Sequence, residues 1–372
     1  MISALPRYEG SAEHELTPAS ESRVSVIDPL RDERWKSFVA EHPNASAFHT
    51  PEWLRALADT YGYEPLAVTT AKPSQPLSDG LALCRVKSWI TGKRLVSVPF
   101  ADHCEPLMSN EAFETEIGSW LQQECDRGDW RYVELRPRSL MQTGDSWSSG
   151  QSYWFHTLDM SPSLEQIFNS LDKDSVQRRI RHAEKQGLEY ETGNSAQLLK
   201  GFYPLMCRTR RRHGIFPQPI VWFRNLLRCM GDNLQIRIVR KAGEPVASIL
   251  TLRHRQRVIY KYGCSDERFH HLAGTPLLFW RLIEESTAAN VSEIDFGRSD
   301  LDHAGLVAFK ERLGGRRQHL CYLRYSSPSD RRRSHATGAN SWLGEKGRKR
   351  IVRFMPDAVL KGMGRVLYRH LG

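Results

Sequence analysis

The sequence predicts two tandem domains of mixed α/β type, and three observations predict it. At 372 residues the chain is too long to be served by one ordinary hydrophobic core. Stretches with apolar residues at helical spacing alternate along it with short runs of β-branched and aromatic residues that read as strands. A Ser- and Gly-rich stretch at 139–152 breaks the pattern, and the two flanking halves follow the same logic.

Residues 1–22 mix Pro, Ser, Glu and His without periodicity and read as a disordered arm. The first domain is expected over 23–150. A helix at 29–42 carries Trp35, Phe38 and Val39 on one side, and a second over Pro51–Tyr61 has Pro in its first turn. Strands follow at 65–70, 79–86 and 94–99, then a helix over Glu111–Arg127 and a strand at 132–136. The second domain, 151–325, opens with a strand at 153–158 and helices at 163–171, 175–187, 196–213 and 220–230. Strands are expected at 233–240, 246–254 and 258–263. A helix to about residue 290 follows, with Thr275 as N-cap and Pro276 in first position. A strand at 293–296 and a helix at 305–313, stopped by Gly314-Gly315, complete it. Residues 326–372 form a basic tail with an amphipathic helix.

With 40% hydrophobic and 26% charged residues the chain reads as globular. Its longest apolar stretches, 246–252 and 276–280, fall short of the roughly 20 residues of a membrane-spanning helix. The N-terminus lacks the charge pattern and apolar run of a secretory signal, so a cytoplasmic location is expected. Seven cysteines, an odd number with no C-x-x-C pair, fit neither a disulfide framework nor a zinc knuckle, and no metal is expected. Eight of the ten net positive charges fall within 326–372, where eleven Lys and Arg face three Asp and Glu. The body, nearly neutral, carries no helix-turn-helix, zinc or RNA-recognition signature. The segment 356–371 sets Val359, Leu360, Met363, Val366 and Leu367 against Lys361, Arg365 and Arg369, a pattern suited either to peripheral contact with a membrane or to core packing.

Several stretches could carry chemistry. Strand alternation places Tyr260 and Tyr262 on one face, where two phenols could line a groove, with Lys261 opposite. In SEIDFGRS, Asp295 is expected at a strand end, with Arg298 and Ser299 just beyond the turn at Gly297. The D-F-G triplet lacks the glycine-rich loop and H-R-D motif of a kinase. Phe309 and Lys310 sit side by side on a helix; with Leu306 and Phe309 facing the core, Lys310 lies at the edge of that face and could reach a phosphate or a developing oxyanion. Arg178 and Arg181 recur on one face of a helix that could bind phosphates. In V-P-F-A-D-H-C-E-P-L, Asp102 and His103 are placed to supply hydrogen bonds or a base, and His49 is a weaker candidate.

Together, Asp174-Ser175 with Arg178, Ile180, Ala183, Lys185 and Gly187, then Thr209-Arg210 with Arg212 and Gly214, then Asp295-Phe296-Gly297 and Gly305-Leu306 with Phe309-Lys310, resemble the Fem acyltransferases in order and spacing. The resemblance implies two GNAT-like domains and transfer of an acyl or aminoacyl group to an amino group of a cell-envelope precursor. It places Phe309 and Lys310 where the acyl donor is handled. The loop at 99–107 is similar to one in a branch that accompanies exopolysaccharide and exosortase systems, which makes a polysaccharide precursor the alternative acceptor. The coiled-coil arm of some Fem proteins has no counterpart. The R/Q-x-x-G-x-G/A loop of acetyl-CoA-dependent enzymes is also missing, and the nearest stretch is L-A-G-T at 272–275. Acyl-CoA and aminoacyl-tRNA both stay open as co-substrate, and tRNA as a partner. The implied reaction is direct: an amine, deprotonated by Asp102, by His103 or by the substrate itself, attacks a carbonyl polarised by backbone N–H groups and Lys310. A non-catalytic scaffold that binds a membrane surface or RNA is the alternative.

Overall fold

A computed structural model describes residues 24–328, except 109–110, 129, 140, 142–143 and 145, together with 330 and 351–372. The expected arm at 1–22 and the most basic part of the tail, 331–350, lie outside the described residues.

The first half runs β1 (Ser25–Ile27), α1 (Glu33–Glu41), α2 (Pro51–Tyr61), β2 (Glu64–Thr69), β3 (Leu81–Ser88), β4 (Gly92–Val96), α3 (Glu111–Arg127) and β5 (Tyr132–Leu135). Local chemistry sets its helix ends. Asp32 accepts from the Arg34 N–H and Thr50 from that of Trp53, while Gly62 closes α2 in a left-handed conformation that glycine adopts without strain. The second half runs β6 (Ser148–Asp159), α4 (Leu164–Ser170), a π-turn (Lys173–Gln177) leading into α5 (Arg178–Glu184), β7 (Glu189–Gly193), α6 (Ala196–Arg212), α7 (Ile220–Met230), β8 (Leu234–Lys241), β9 (Glu244–His254), β10 (Arg257–Ser265), α8 (Gly274–Ala288), β11 (Glu293–Asp300), α9 (Ala304–Arg312) and β12 (Arg316–Ser326). A C-terminal helix, α10, spans Asp357–Leu371.

All twelve strands form one sheet in the order β1-β2-β3-β4-β5-β12-β6-β11-β10-β9-β8-β7. Each half holds one parallel pair, β4 with β5 and β10 with β11, in an otherwise antiparallel set. β12 pairs with β5 on one side and β6 on the other, so the last strand stitches the halves together. One large core lies under α2, α6 and α7, a second under α4, α5 and α8, and a third under α3.

Several expectations are corrected. Ser148–Ser152 already belong to β6 rather than to a loop, and the strands β7 and β12 were not foreseen. Helix α8 starts at Gly274 behind Ala273, whose left-handed backbone takes the cap position assigned to Thr275. β11 continues to Asp300, so Asp295 is mid-strand, not at a strand end.

Helix α10 is part of the fold. Leu360 is buried, and a Cβ on Gly364 would stand 2.1 Å from the Pro217 carbonyl oxygen, so only glycine permits that approach. Its last carbonyls, which no intrahelical donor can reach, accept from the first half. Tyr63 donates to Tyr368 and Arg369 at 3.0 and 3.2 Å, and Arg94 and Thr91 donate to His370 at 2.9 and 3.0 Å.

Candidate active site between two parting strands

β10 and β11 pair in parallel only from Arg257 opposite Glu293 to Ile259 opposite Asp295. Beyond that level each strand shifts register against its other neighbour, β10 between Tyr260 and Tyr262, β11 between Asp295 and Arg298. An extra residue bends a strand and re-aims its side chains. Gly297 takes the conformation this demands, with φ at +70°.

Asp102, from the loop after β4, occupies the place where the strands part. A Cβ on Gly297 would lie 2.9 Å from Asp102 Oδ2 and 3.8 Å from the Tyr260 carbonyl oxygen. The loop is held in a strained shape, since Val98 and Phe100 both have positive φ. Arg136 offsets that strain by donating to the Val98 and Ala101 carbonyls, each at 3.1 Å, and Tyr322 donates to the Asp102 carbonyl at 2.7 Å.

Three cations face two carboxylates here. Lys261 Nζ lies 3.0 Å from Asp102 Oδ2, and Arg298 Nε 3.7 Å from Oδ1. Burial works to raise the Asp102 pKa, but Lys261, Arg298 and Lys310 together hold it below the usual carboxylate value. Burial lowers that of Lys261, against the opposing pull of Asp102. Lys310, buried on α9, donates to the Gly297 and Arg298 carbonyls at 2.8 and 2.9 Å. Burial, opposed by Asp102 and Asp295, brings its pKa down to about 8. Its neighbour on the inner face is Val307, so the expected arrangement, with Leu306 and Phe309 inward and Lys310 at the edge, is corrected. Phe309 is half-buried and packs edge-on to Phe279, with ring centroids 5.4 Å apart.

His103 and Asp295 form a buried pair at 2.8 Å. The imidazole stands edge-on to Phe48 and to Phe155, and its Nδ1 has no hydrogen-bond partner among the described residues. Asp295 also accepts from the Gly297 N–H at 2.6 Å and thereby braces the bulge. Ser299 is buried, and its hydroxyl has no hydrogen-bond partner among the described residues. Neither ring nitrogen of buried His156 has one; burial first, then Lys310 and Arg317, bring its pKa down to about 4.

The structure separates other expected residues. Because Lys261 is the extra residue of the β10 bulge, alternation changes phase there. Tyr260 packs against Phe279 in one core, and Tyr262 accepts from Trp222 in the other at 2.9 Å, so the phenols lie on opposite faces. Arg178 is exposed and faces Asp174 at 3.8 Å, and Arg181 lies over the Phe168 ring; neither joins the buried cluster. His49 is buried and bonded to the Glu105 carbonyl at 2.8 Å. Sequence reasoning missed Lys261, Arg136 and Tyr322 as site residues. A lysine between two strand tyrosines was a usable signal for the first; nothing local marked Tyr322.

An excess of positive charge in a buried cluster favours a group that becomes negative, such as a carbonyl oxygen under attack or a phosphate. Among the described residues no three His, Cys, Asp or Glu side chains are grouped to hold a metal ion, and no helix is long and apolar enough to cross a membrane.

Residues 172–310 match the Acetyltransferase (GNAT) domain family, a span from the π-turn before α5 to Lys310. Over 110 residues the chain is 26% identical to the UDP-N-acetylmuramoylpentapeptide-lysine N(6)-alanyltransferase of Weissella viridescens, a match covering 29% of this chain and 30% of the length of that curated relative. Among solved structures, FemX superposes with a TM-score of 0.64 at 13% identity, covering 82% of this chain and 97% of that one. A tandem GNAT protein from the clavulanic acid biosynthesis pathway superposes with a TM-score of 0.52 at 9% identity, covering 82% and 98%. These likenesses show the fold, a mixed α/β architecture shared with tandem acyltransferases, as expected.

Proposed function

We propose, for a chain that carries a GNAT domain related to the Fem-type transferases, that it is an N-acyltransferase whose reaction takes place where β10 and β11 part. The observation that carries this is Lys310, a buried amine fixed by two carbonyls at the β11 bulge. An ammonium held there is ready for an oxyanion without reorganisation during the reaction.

In the reaction proposed, the neutral amine of the acceptor attacks the donor's acyl carbonyl. A C–N bond forms, and the charge developing on oxygen is stabilised by Lys310 and backbone N–H groups. The bond to the leaving group then breaks, releasing a thiolate from acyl-CoA or a ribose hydroxyl from aminoacyl-tRNA. The amine's proton passes to Asp102 or to solvent and on to the leaving group. Of the two sequence candidates for the base, Asp102 is the more open, with its side chain 16% exposed against 2% for His103, but its pairing with Lys261 makes it a weak acceptor, so solvent takes the larger share of the proton. His103 and Asp295 would position the bulge.

The acceptor we propose is the amino group of a cell-envelope or exopolysaccharide precursor, at the cytoplasmic side of the inner membrane. The relative named for alanyl transfer to UDP-N-acetylmuramoylpentapeptide-lysine supports that class, and with it an aminoacyl-tRNA donor. Acyl-CoA stays the alternative donor. Helix α8 keeps acyl-CoA open: no side chain of its cap residue Ala273 occupies the first-turn N–H groups, so those of Gly274 and Thr275 can serve a phosphate, while Pro276 has none to offer.

The test is mass-spectrometric detection of transfer from acetyl-CoA, longer acyl-CoAs and charged tRNA to a panel of amino sugars and envelope precursors. A product with any donor identifies that donor. No product from any pairing, with folded protein, sinks the reading.

A further inference from the structure

The solvent side of α10 joins a second exposed segment to make one amphipathic surface. At 100° per residue, Val359, Met363 and Val366 fall on one exposed strip of the helix, and Lys361, Arg365 and Arg369 on an adjacent one. His370, on the apolar strip's side, packs edge-on to Trp89 with centroids 5.4 Å apart. Trp89 comes from the turn between β3 and β4 and is 84% exposed, with Ile90 exposed beside it. Phe354, at the end of the helical stretch 351–354 that precedes α10, is 77% exposed.

Two segments far apart in sequence thus set out a tryptophan and a row of aliphatic side chains, bordered by a row of cations. Solvent alone gives no reason for that arrangement. The same helix is fixed to the body through Leu360, Gly364 and Tyr368, so the outer face is displayed rigidly. An RNA would engage the cations and leave the aliphatic row without a role. A bilayer surface uses both: apolar side chains enter the acyl boundary, tryptophan favours the headgroup level, and Lys and Arg meet lipid phosphates. The eight net positive charges of 326–372 add the complementary long-range attraction.

We propose that Trp89, Ile90, Val359, Met363 and Val366, with Lys361, Arg365 and Arg369, form a docking face for an anionic lipid bilayer. The face is independent of the transferase reading, because it includes no residue of the buried cluster and its test needs neither donor nor acceptor.

The experiment is co-sedimentation of the full chain with phosphatidylglycerol/phosphatidylcholine vesicles and with pure phosphatidylcholine vesicles, at low and high salt. The expected result is binding to the anionic vesicles that weakens with salt. It should fall about tenfold or more in Lys361→Glu/Arg365→Glu, and likewise in Trp89→Ser/Ile90→Ser, with melting temperatures unchanged. Trp89→Phe should also remove a vesicle-induced blue shift of tryptophan emission. Absence of vesicle binding by the folded full chain overturns the proposal, as does undiminished binding by both double variants. Salt-sensitive binding to RNA without any to vesicles overturns it in favour of the basic stripe alone.

Discussion

Lys310 Nζ lies 2.8 Å from the carbonyl oxygen of Gly297, the residue at which β11 bulges out of register. That one bond ties helix α9 to the point where β10 and β11 part, and it fixes a cation beside the Asp102 carboxylate. Most of what the site can do depends on that cation's charge state and on the backbone shape that accepts it.

The charge state has a thermodynamic signature. Burial brings the Lys310 pKa from 10.5 to about 8. Between those values the unfolded chain binds a proton that the folded chain does not, so this group's contribution to stability rises with pH across that window and is least favourable below it. Lys310→Met removes the buried charge. Thermal melts should show the variant's stability relative to wild type falling between about pH 8 and about pH 10.5. A difference that stays flat with pH would mean that the lysine is not perturbed.

Asp102 and Lys261 neutralise each other. Asp102→Asn leaves Lys261 and Arg298 without their counter-charge and should cost about 3 kcal/mol in a denaturant titration. Adding Lys261→Met should recover part of that loss, giving a coupling on the order of 1–3 kcal/mol in a double-mutant cycle. Additive effects would show that the 3.0 Å pair carries no net energy.

Gly297→Ala tests the bulge. A left-handed backbone costs a residue with a side chain about 1–2 kcal/mol, and the new methyl would stand 2.9 Å from the Asp102 carboxylate. The variant should lose about that much stability and transfer substrate more slowly than wild type. Wild-type melting and turnover would show that the site tolerates an ordinary residue there.

Gly364→Ala tests whether α10 belongs to the body. Its methyl would collide with the Pro217 carbonyl oxygen at 2.1 Å, a contact with main chain that cannot relax cheaply. Limited proteolysis should then release the C-terminal segment at a protease dose that leaves wild type intact. Equal resistance would mean that the helix docks by another face.

Much of this architecture was legible because local signals agreed. Thr50-Pro51 ahead of Trp53, Leu54 and Leu57 specify α2 by cap, first-turn proline and apolar stripe together. β12 was not legible, because its first residues, R-R-Q-H, are exposed and polar and are made a strand by β6 beside them. β7 is an exposed edge strand with the same difficulty. Asp102, Asp295 and Lys310 were each singled out, but Tyr260 and Tyr262 were misjudged as a pair: one inserted residue reverses the side-chain phase, and a bulge leaves no mark in composition. The burial of Lys310 was hidden for a related reason. Its partners are main-chain carbonyls exposed by the other bulge, and no side-chain pattern announces them.

The most direct measurement of the central claim is the transfer rate at saturating donor for wild type, Lys310→Arg and Lys310→Ala, followed through pH with melting curves to confirm folding. The account predicts a fall of at least about a hundredfold in Lys310→Ala, the magnitude for losing one oxyanion donor. It also predicts a decline of the wild-type rate above about pH 8 as the lysine loses its charge, and a shift of that decline to higher pH in Lys310→Arg. A folded Lys310→Ala protein that turns over within a few-fold of wild type, with the same pH profile, would contradict it.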